Sequence, residues 1–163
     1  MSKEELLVMA SQFRDAIIIA QNNKEFENDD VMCHFPNDCC NDVVDLLGEY
    51  LLRNGYEDLW YVSGVLYSDI DEDLSSQNDK THAWISVGHP FDSGSMIVDI
   101  LRDIFLDANG SGDALEVYVG PMDEFHRLFR TEGNAYYQFR GLQQYSESQY
   151  RLIDLYNRIL KWI

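Results

Sequence analysis

Two adjacent thiols, Cys39 and Cys40, follow the string Phe35-Pro36-Asn37-Asp38 and stand at the start of an apolar stripe with helical spacing. His82 opens the alternating segment His82-Ala83-Trp84-Ile85-Ser86-Val87, and Asp99 closes the next one, Ser95-Met96-Ile97-Val98-Asp99. Thiol, imidazole and carboxylate are the three groups of a nucleophilic set: the imidazole exchanges the proton, and the carboxylate orients the imidazole. A thiol in the first turn of a helix sits among unpaired backbone N–H groups at the positive end of the dipole, which favours the thiolate. The same N–H groups can hold the oxyanion of a tetrahedral intermediate. If the chain reverses around residues 90–91, paired positions sum to 181, and His82 and Asp99 become cross-strand neighbours on one face.

Other groupings are weaker. Cys33, His34, Cys39 and Cys40 contain zinc-ligating atoms, but no Cys-x-x-Cys pair accompanies them, so no metal is expected. Asp69-Ile70-Asp71-Glu72-Asp73 alternates carboxylates like part of a calcium loop but lacks the central Gly and the closing Glu. It reads as a solvated acidic loop. Cys33 is expected to be a small buried hydrophobe, and His34, His89 and His126 have no partner that the sequence identifies. Tyr136, Tyr137, Phe139 and Tyr145 are packing residues or one wall of a cleft. No cofactor is implied.

The elements that must position Cys, His and Asp follow from periodicity. Ser2 with Glu5 fits a capping box, and Leu6, Met9, Phe13, Ile17 and Ala20 predict a helix over about residues 3–21. An acidic loop covers 22–30. A second helix begins near Cys39 or Cys40, carries Val43, Val44, Leu47, Tyr50 and Leu51 on one face, and stops at Asn54-Gly55. Alternation from about 58 to 67 predicts a strand, 68–80 an acidic loop, and the segments around His82 and Asp99 an antiparallel hairpin. Leu115–Val119 reads as a further strand, Asp123–Phe129 as a short helix, and 121–145 otherwise as ambiguous. A closing helix from about 146 to 162 has the stripe Tyr150, Ile153, Tyr156, Leu160 and Ile163. The order is α+β, and residues 1–163 read as a single domain.

Composition bounds the function. The chain has 163 residues, 12 Lys+Arg against 29 Asp+Glu, and a net charge of −17. Phosphate-directed nucleic-acid binding and attachment to anionic membranes both need the opposite surplus, so neither is expected. With 45% apolar and 13% aromatic residues the chain folds. The excess is uneven: residues 1–120 hold 24 acids and 6 bases, whereas 121–163 hold 5 acids and 6 bases. Such a front either keeps the protein soluble or docks a basic partner. The N-terminus lacks a signal-like pattern and no apolar run spans a bilayer, so a cytoplasmic location is expected.

The strings Phe-Pro-x-x-Cys-Cys-x-Asp from Phe35, Asp45-Leu46-Leu47-Gly48, Tyr61-Val62-Ser63-Gly64, His82-Ala83-Trp84 and Ile97-Val98-Asp99-Ile100 resemble the papain-like superfamily in its transglutaminase-like branch of uncharacterised bacterial proteins. The resemblance covers about residues 33–120. It implies an antiparallel sheet packed on a helix that carries the cysteine at its N-terminus. It also implies Cys40 as nucleophile, with Cys39 as its rival, His82 as general base and acid, and Asp99 as the orienting carboxylate. The implied activity is a cysteine-dependent hydrolase or acyltransferase that takes a peptide or small acyl substrate through a thioester. Asp38 departs from the pattern, which has a small residue there, commonly Gly. With Asp42 it puts two carboxylates beside the thiol, a setting that opposes a thiolate. The alternative function is that of an acidic, non-enzymatic binding protein on the same scaffold, such as an immunity protein covering a basic toxin.

Overall fold

A computed structural model of the chain describes residues 2–66, 81–104, 116–131, 135–142 and 147–163. Helix α1, Lys3–Asn22, starts where the sequence places a cap: Glu5 N–H donates to Ser2 Oγ, and Ser2 N–H donates to the Glu5 carboxylate. Leu6, Phe13, Ile17 and Ala20 of its stripe are buried and Met9 is half-buried. Helix α2, Cys40–Arg53, buries all five residues of its expected stripe. The last helix, α3, Glu147–Ile159, runs into a 3-10 turn, Leu160–Trp162.

Strands β1, Leu59–Leu66, β2, Thr81–Val87, β3, Met96–Asp99, β4, Tyr118–Gly120, β5, Phe129–Arg130, and β6, Tyr136–Gln138, form one six-stranded sheet among the described residues. Its order is β4-β3-β2-β1-β5, with β6 also on β1, and every pairing is antiparallel. Alternation divides the strands between two apolar layers. Leu59, Tyr61, Ala83, Ile85, Val98 and Val119 join the helices in the main core. Val62, Trp84, Ile97 and Phe129 form a second, smaller cluster with Phe125 and Tyr118 packed against it.

Several expectations change. The hairpin register pairs Ile85 with Val98, Ser86 with Ile97 and Val87 with Met96, so partners sum to 183 and not 181. A shift of two keeps every side chain on its face, so His82 and Asp99 are diagonal neighbours. The strand expected at Leu115–Val119 is Tyr118–Gly120 among the described residues, with Leu115 outside them. The short helix expected at Asp123–Phe129 is one 3-10 turn, His126–Leu128, which leads directly into β5. β6 falls in the stretch read as ambiguous. On α3 the buried residues are Leu152, Leu155, Tyr156 and Ile159, while Tyr150, Leu160 and Ile163 are exposed. Tyr156 belongs to both stripes, and its packing against Phe13 of α1, ring centroids 6.5 Å apart, selects the other one. The acidic loop at 68–80, with its calcium-like run, and Tyr145 lie outside the described residues.

Candidate active site

The three cysteines have different surroundings. Cys33, expected inside, is exposed, with Sγ 3.4 Å from His34 Nδ1. Its place in a 3-10 turn, Met32–His34, points Met32 inward instead. Cys39 is buried in the main core at 1% exposure, and its thiol is pushed up to about 12 by burial, with Cys40, Asp42 and Asp38 adding to the shift. That environment holds it as a neutral packing group. Cys40, the first residue of α2, is half-buried. The cap residue of α2 is Cys39, whose side chain makes no cap bond to the first-turn N–H groups.

His82 is the second residue of β2 and is 1% exposed. Its Nε2 lies 2.7 Å from Asp99 Oδ2. Burial lowers the His82 pKa, but the Asp99 charge and hydrogen bond, together with a hydrogen bond and charge from Cys40, outweigh it and raise the pKa to about 9. Asp99 thus occupies the Nε2 side of the ring. Asp99 is itself 1% exposed, and its other oxygen accepts the Leu101 N–H at 2.8 Å. Burial would raise its pKa; the two imidazoles around it hold it well below the usual carboxylate range. Cys40, His82 and Asp99 thus come together, and Cys39 does not join them.

The sequence missed two members of the cluster. His126, 1% exposed, places Nε2 3.2 Å from Asp99 Oδ2 and Nδ1 2.6 Å from Asp123 Oδ1. Asp123 in turn accepts from Arg102 at 2.7 Å. Burial alone would raise the Asp123 carboxyl, but the His126 N–H, the His126 ring and Arg102 lower it. The signal available in the sequence was the spacing Asp123-x-x-His126, in which the aspartate accepts both the backbone N–H and the ring.

Donor atoms of His82, Asp99 and His126 lie within 4.8 Å of one another, so a metal ion must be considered. Two ligands bonding one tetrahedral ion at about 2.1 Å stand roughly 3.4 Å apart. The 2.7 Å contact between His82 and Asp99 is closer than that and has hydrogen-bond length. The cluster is a hydrogen-bonded chain.

The acidic setting expected around Cys40 is offset from the far end of the sequence. Arg151 of α3 donates to Asp42 at 2.6 Å and to both oxygens of Asp29 at 2.8 and 2.6 Å. Burial raises Asp29, but Arg151 and the Met32 and Val31 amides bring it below its ordinary value. Asp38, at the position where the resemblance has a small residue, has φ of +54°, a left-handed conformation that glycine adopts freely and aspartate tolerates. On the other flank, Tyr61 Oη donates to Asn41 at 2.7 Å and its ring stacks on Tyr137 at 4.8 Å. Asp45, hydrogen-bonded by Tyr137, is pushed up to about 6 by burial and by Asp42. Phe139 is buried and Tyr137 exposed, so these aromatics divide between packing and the surface beside α2.

Comparison of the chain with protein-family models, with curated proteins and with solved structures finds no match.

Proposed function

We propose that this protein is a cysteine-dependent hydrolase or acyltransferase on a papain-like, transglutaminase-like scaffold. The observation that carries this reading is the 2.7 Å contact between buried His82 and buried Asp99, with Cys40 at the N-terminus of α2 among the groups that act on the imidazole. A helix N-terminus bearing the cysteine, followed in the chain by antiparallel strands bearing the histidine and the aspartate, supports the scaffold.

In this reading the Cys40 thiolate attacks the carbonyl carbon of a peptide or small acyl substrate, and the first-turn N–H groups of α2 receive the developing oxyanion. His82 gives its Nδ1 proton to the leaving group as the C–N or C–O bond breaks, leaving a thioester on Cys40. Water or an amine then attacks, His82 takes the proton from it, and Cys40 leaves as thiolate. Asp99 accepts from Nε2 throughout, so the tautomer stays correct.

The rate of alkylation of Cys40 against pH in wild type and His82→Ala tests this. Wild type is expected to be alkylated faster than His82→Ala on the acidic side of the profile, and His82→Ala to lose that reactivity. Coincident profiles with the inflection of an ordinary thiol would remove the activated pair.

A second reading is supported by the exposed carboxylates of Glu4, Asp15, Asp30, Glu57 and Asp58 in the acidic front of the chain. On that reading the protein binds a basic partner through complementary charge. Recovery of a stoichiometric basic protein with both wild type and Cys40→Ala favours it; recovery of none counts against it.

A further inference from the structure

Asp99 Oδ2 is shared. His82 Nε2 stands 2.7 Å from it and His126 Nε2 3.2 Å, and the two rings are 6.4 Å apart at a 30° angle. A carboxylate oxygen only accepts, so each contact needs a proton on the ring nitrogen. His126 also meets Asp123 Oδ1 at 2.6 Å through Nδ1, and a ring that makes both bonds carries protons on both nitrogens. Arg102 holds the far oxygen of Asp123 at 2.7 Å and lies over the rings of Tyr118 and Phe125 at 4.7 and 5.0 Å. His126 is therefore fixed from behind, and its only course within this cluster is toward Asp99.

An oxygen accepting from two donors offers less charge to each. We propose that His126 is a positioning residue for His82: by taking a share of Asp99 Oδ2 it limits how tightly Asp99 retains the His82 proton. The mechanism above needs that limit, because His82 must release its proton to a leaving group and later accept one from water or an amine. This inference rests on Cys40, His82 and Asp99 being the reacting set. Among the described residues, the charged and titratable groups that face His82 include Cys40 from α2, Asp99 from β3 and His126 from the turn before β5. Asp123, Arg102 and Tyr118 stand behind His126. A purely space-filling His126, packed against Trp84 at 5.0 Å and Phe125 at 5.1 Å, would affect stability without a directed effect on His82.

The titration of the His82 side chain, followed by NMR in folded wild type, His126→Leu, His126→Gln and Asp123→Asn, separates the two roles. In His126→Leu the His82 midpoint is expected about one pH unit higher, since Asp99 then serves one donor and a neighbouring positive ring is gone. His126→Gln keeps an amide donor for Asp99 without the charge and should give a smaller rise. Asp123→Asn retains an acceptor for the His126 backbone N–H and should shift His82 in the same direction; it decides the matter if His126→Leu does not fold. A midpoint unchanged or lowered overturns the proposal. Cys40 acts on His82 alike in all four proteins, so the change between them reports the sharing of Asp99, and an alkylation profile indifferent to His82 refutes the nucleophile assignment separately.

Discussion

At the scale of single residues, Asp45 shows what the neighbourhood of Cys40 costs. Burial and Asp42 hold its carboxyl at about 6, well above the ordinary carboxylate range. The native state therefore binds more protons than the unfolded chain between about pH 4 and 6, and stability falls as pH rises through that window. Above it the loss is complete. Asp45→Asn keeps an acceptor for the Tyr137 hydroxyl and removes the buried charge, so it is expected to stabilise the protein at pH 7 by about 1–2 kcal/mol, and not at pH 4. Urea unfolding at the two pH values measures this. A carboxylate kept half-buried at such a cost beside the candidate nucleophile is consistent with a role other than stability. The residue types of the site were legible from the sequence because Cys40, His82 and Asp99 each sit at the end of an element with clear periodicity. His126 was not, because its partners come from β3 and from a turn without periodicity.

At the scale of elements, the sheet reaches His82 through a close approach. A Cβ on Gly64 of β1 would meet Phe129 Cβ at 2.7 Å and the backbone of Phe129 and Arg130 at 3.1 and 3.2 Å. Gly64 pairs with His82, and the Phe129 ring packs 5.3 Å from the imidazole. Gly64→Ala must therefore displace β5, at a cost of about 1–3 kcal/mol, and disturb the wall over His82. Gly94→Ala, where a Cβ meets nothing within 4 Å, is expected to leave the unfolding midpoint nearly unchanged. Equal effects of the two would mean that the close approach at Gly64 carries no particular strain. Gly48 lets α2 accept Phe139 in the same way, since a Cβ there would stand 2.9 Å from the ring. Helix boundaries were legible from caps and stripes. The hairpin register was off by two because the turn at 88–95 contains more than one bend residue, Gly88 and Gly94 included, and turn chemistry alone leaves its centre open.

At the scale of the whole molecule, the His82–Asp99 pair links folding to pH. His82 is raised from 6.5 to about 9, so the native state binds the extra proton across that interval. The stabilisation is fully present below about pH 6.5 and is lost as pH rises through 9, a loss of roughly 3 kcal/mol at about 1.4 kcal/mol per unit. The lowered Asp99 is the same interaction seen from its other end and is not added to this. Denaturant unfolding at pH 6 and pH 10 is expected to show that fall in wild type and to lose it in His82→Gln; an equal fall in both would assign it to other groups. The net charge of −17 acts over the same molecule in a different way. Its excess lies in the first 120 residues, but at the candidate site Arg151 from the near-neutral last quarter bridges Asp29 and Asp42. No helix among the described residues is long and apolar enough to cross a membrane.

By itself the sequence determined what short-range physics controls: the caps and stripes of α1 and α2, the alternation of β1 and β2, and a cysteine, a histidine and an aspartate at the ends of three elements. Those signals are periodic and local, so they survive without a partner. Only the tertiary structure decided which of two adjacent thiols is buried, which stripe of α3 faces α1, and that β6 adds to β1. It alone brought Arg151 to Asp42 and His126 to Asp99, across 109 and 27 residues. Contacts at such separations leave no period in a chain, because they depend on where two elements dock and not on how either one is built.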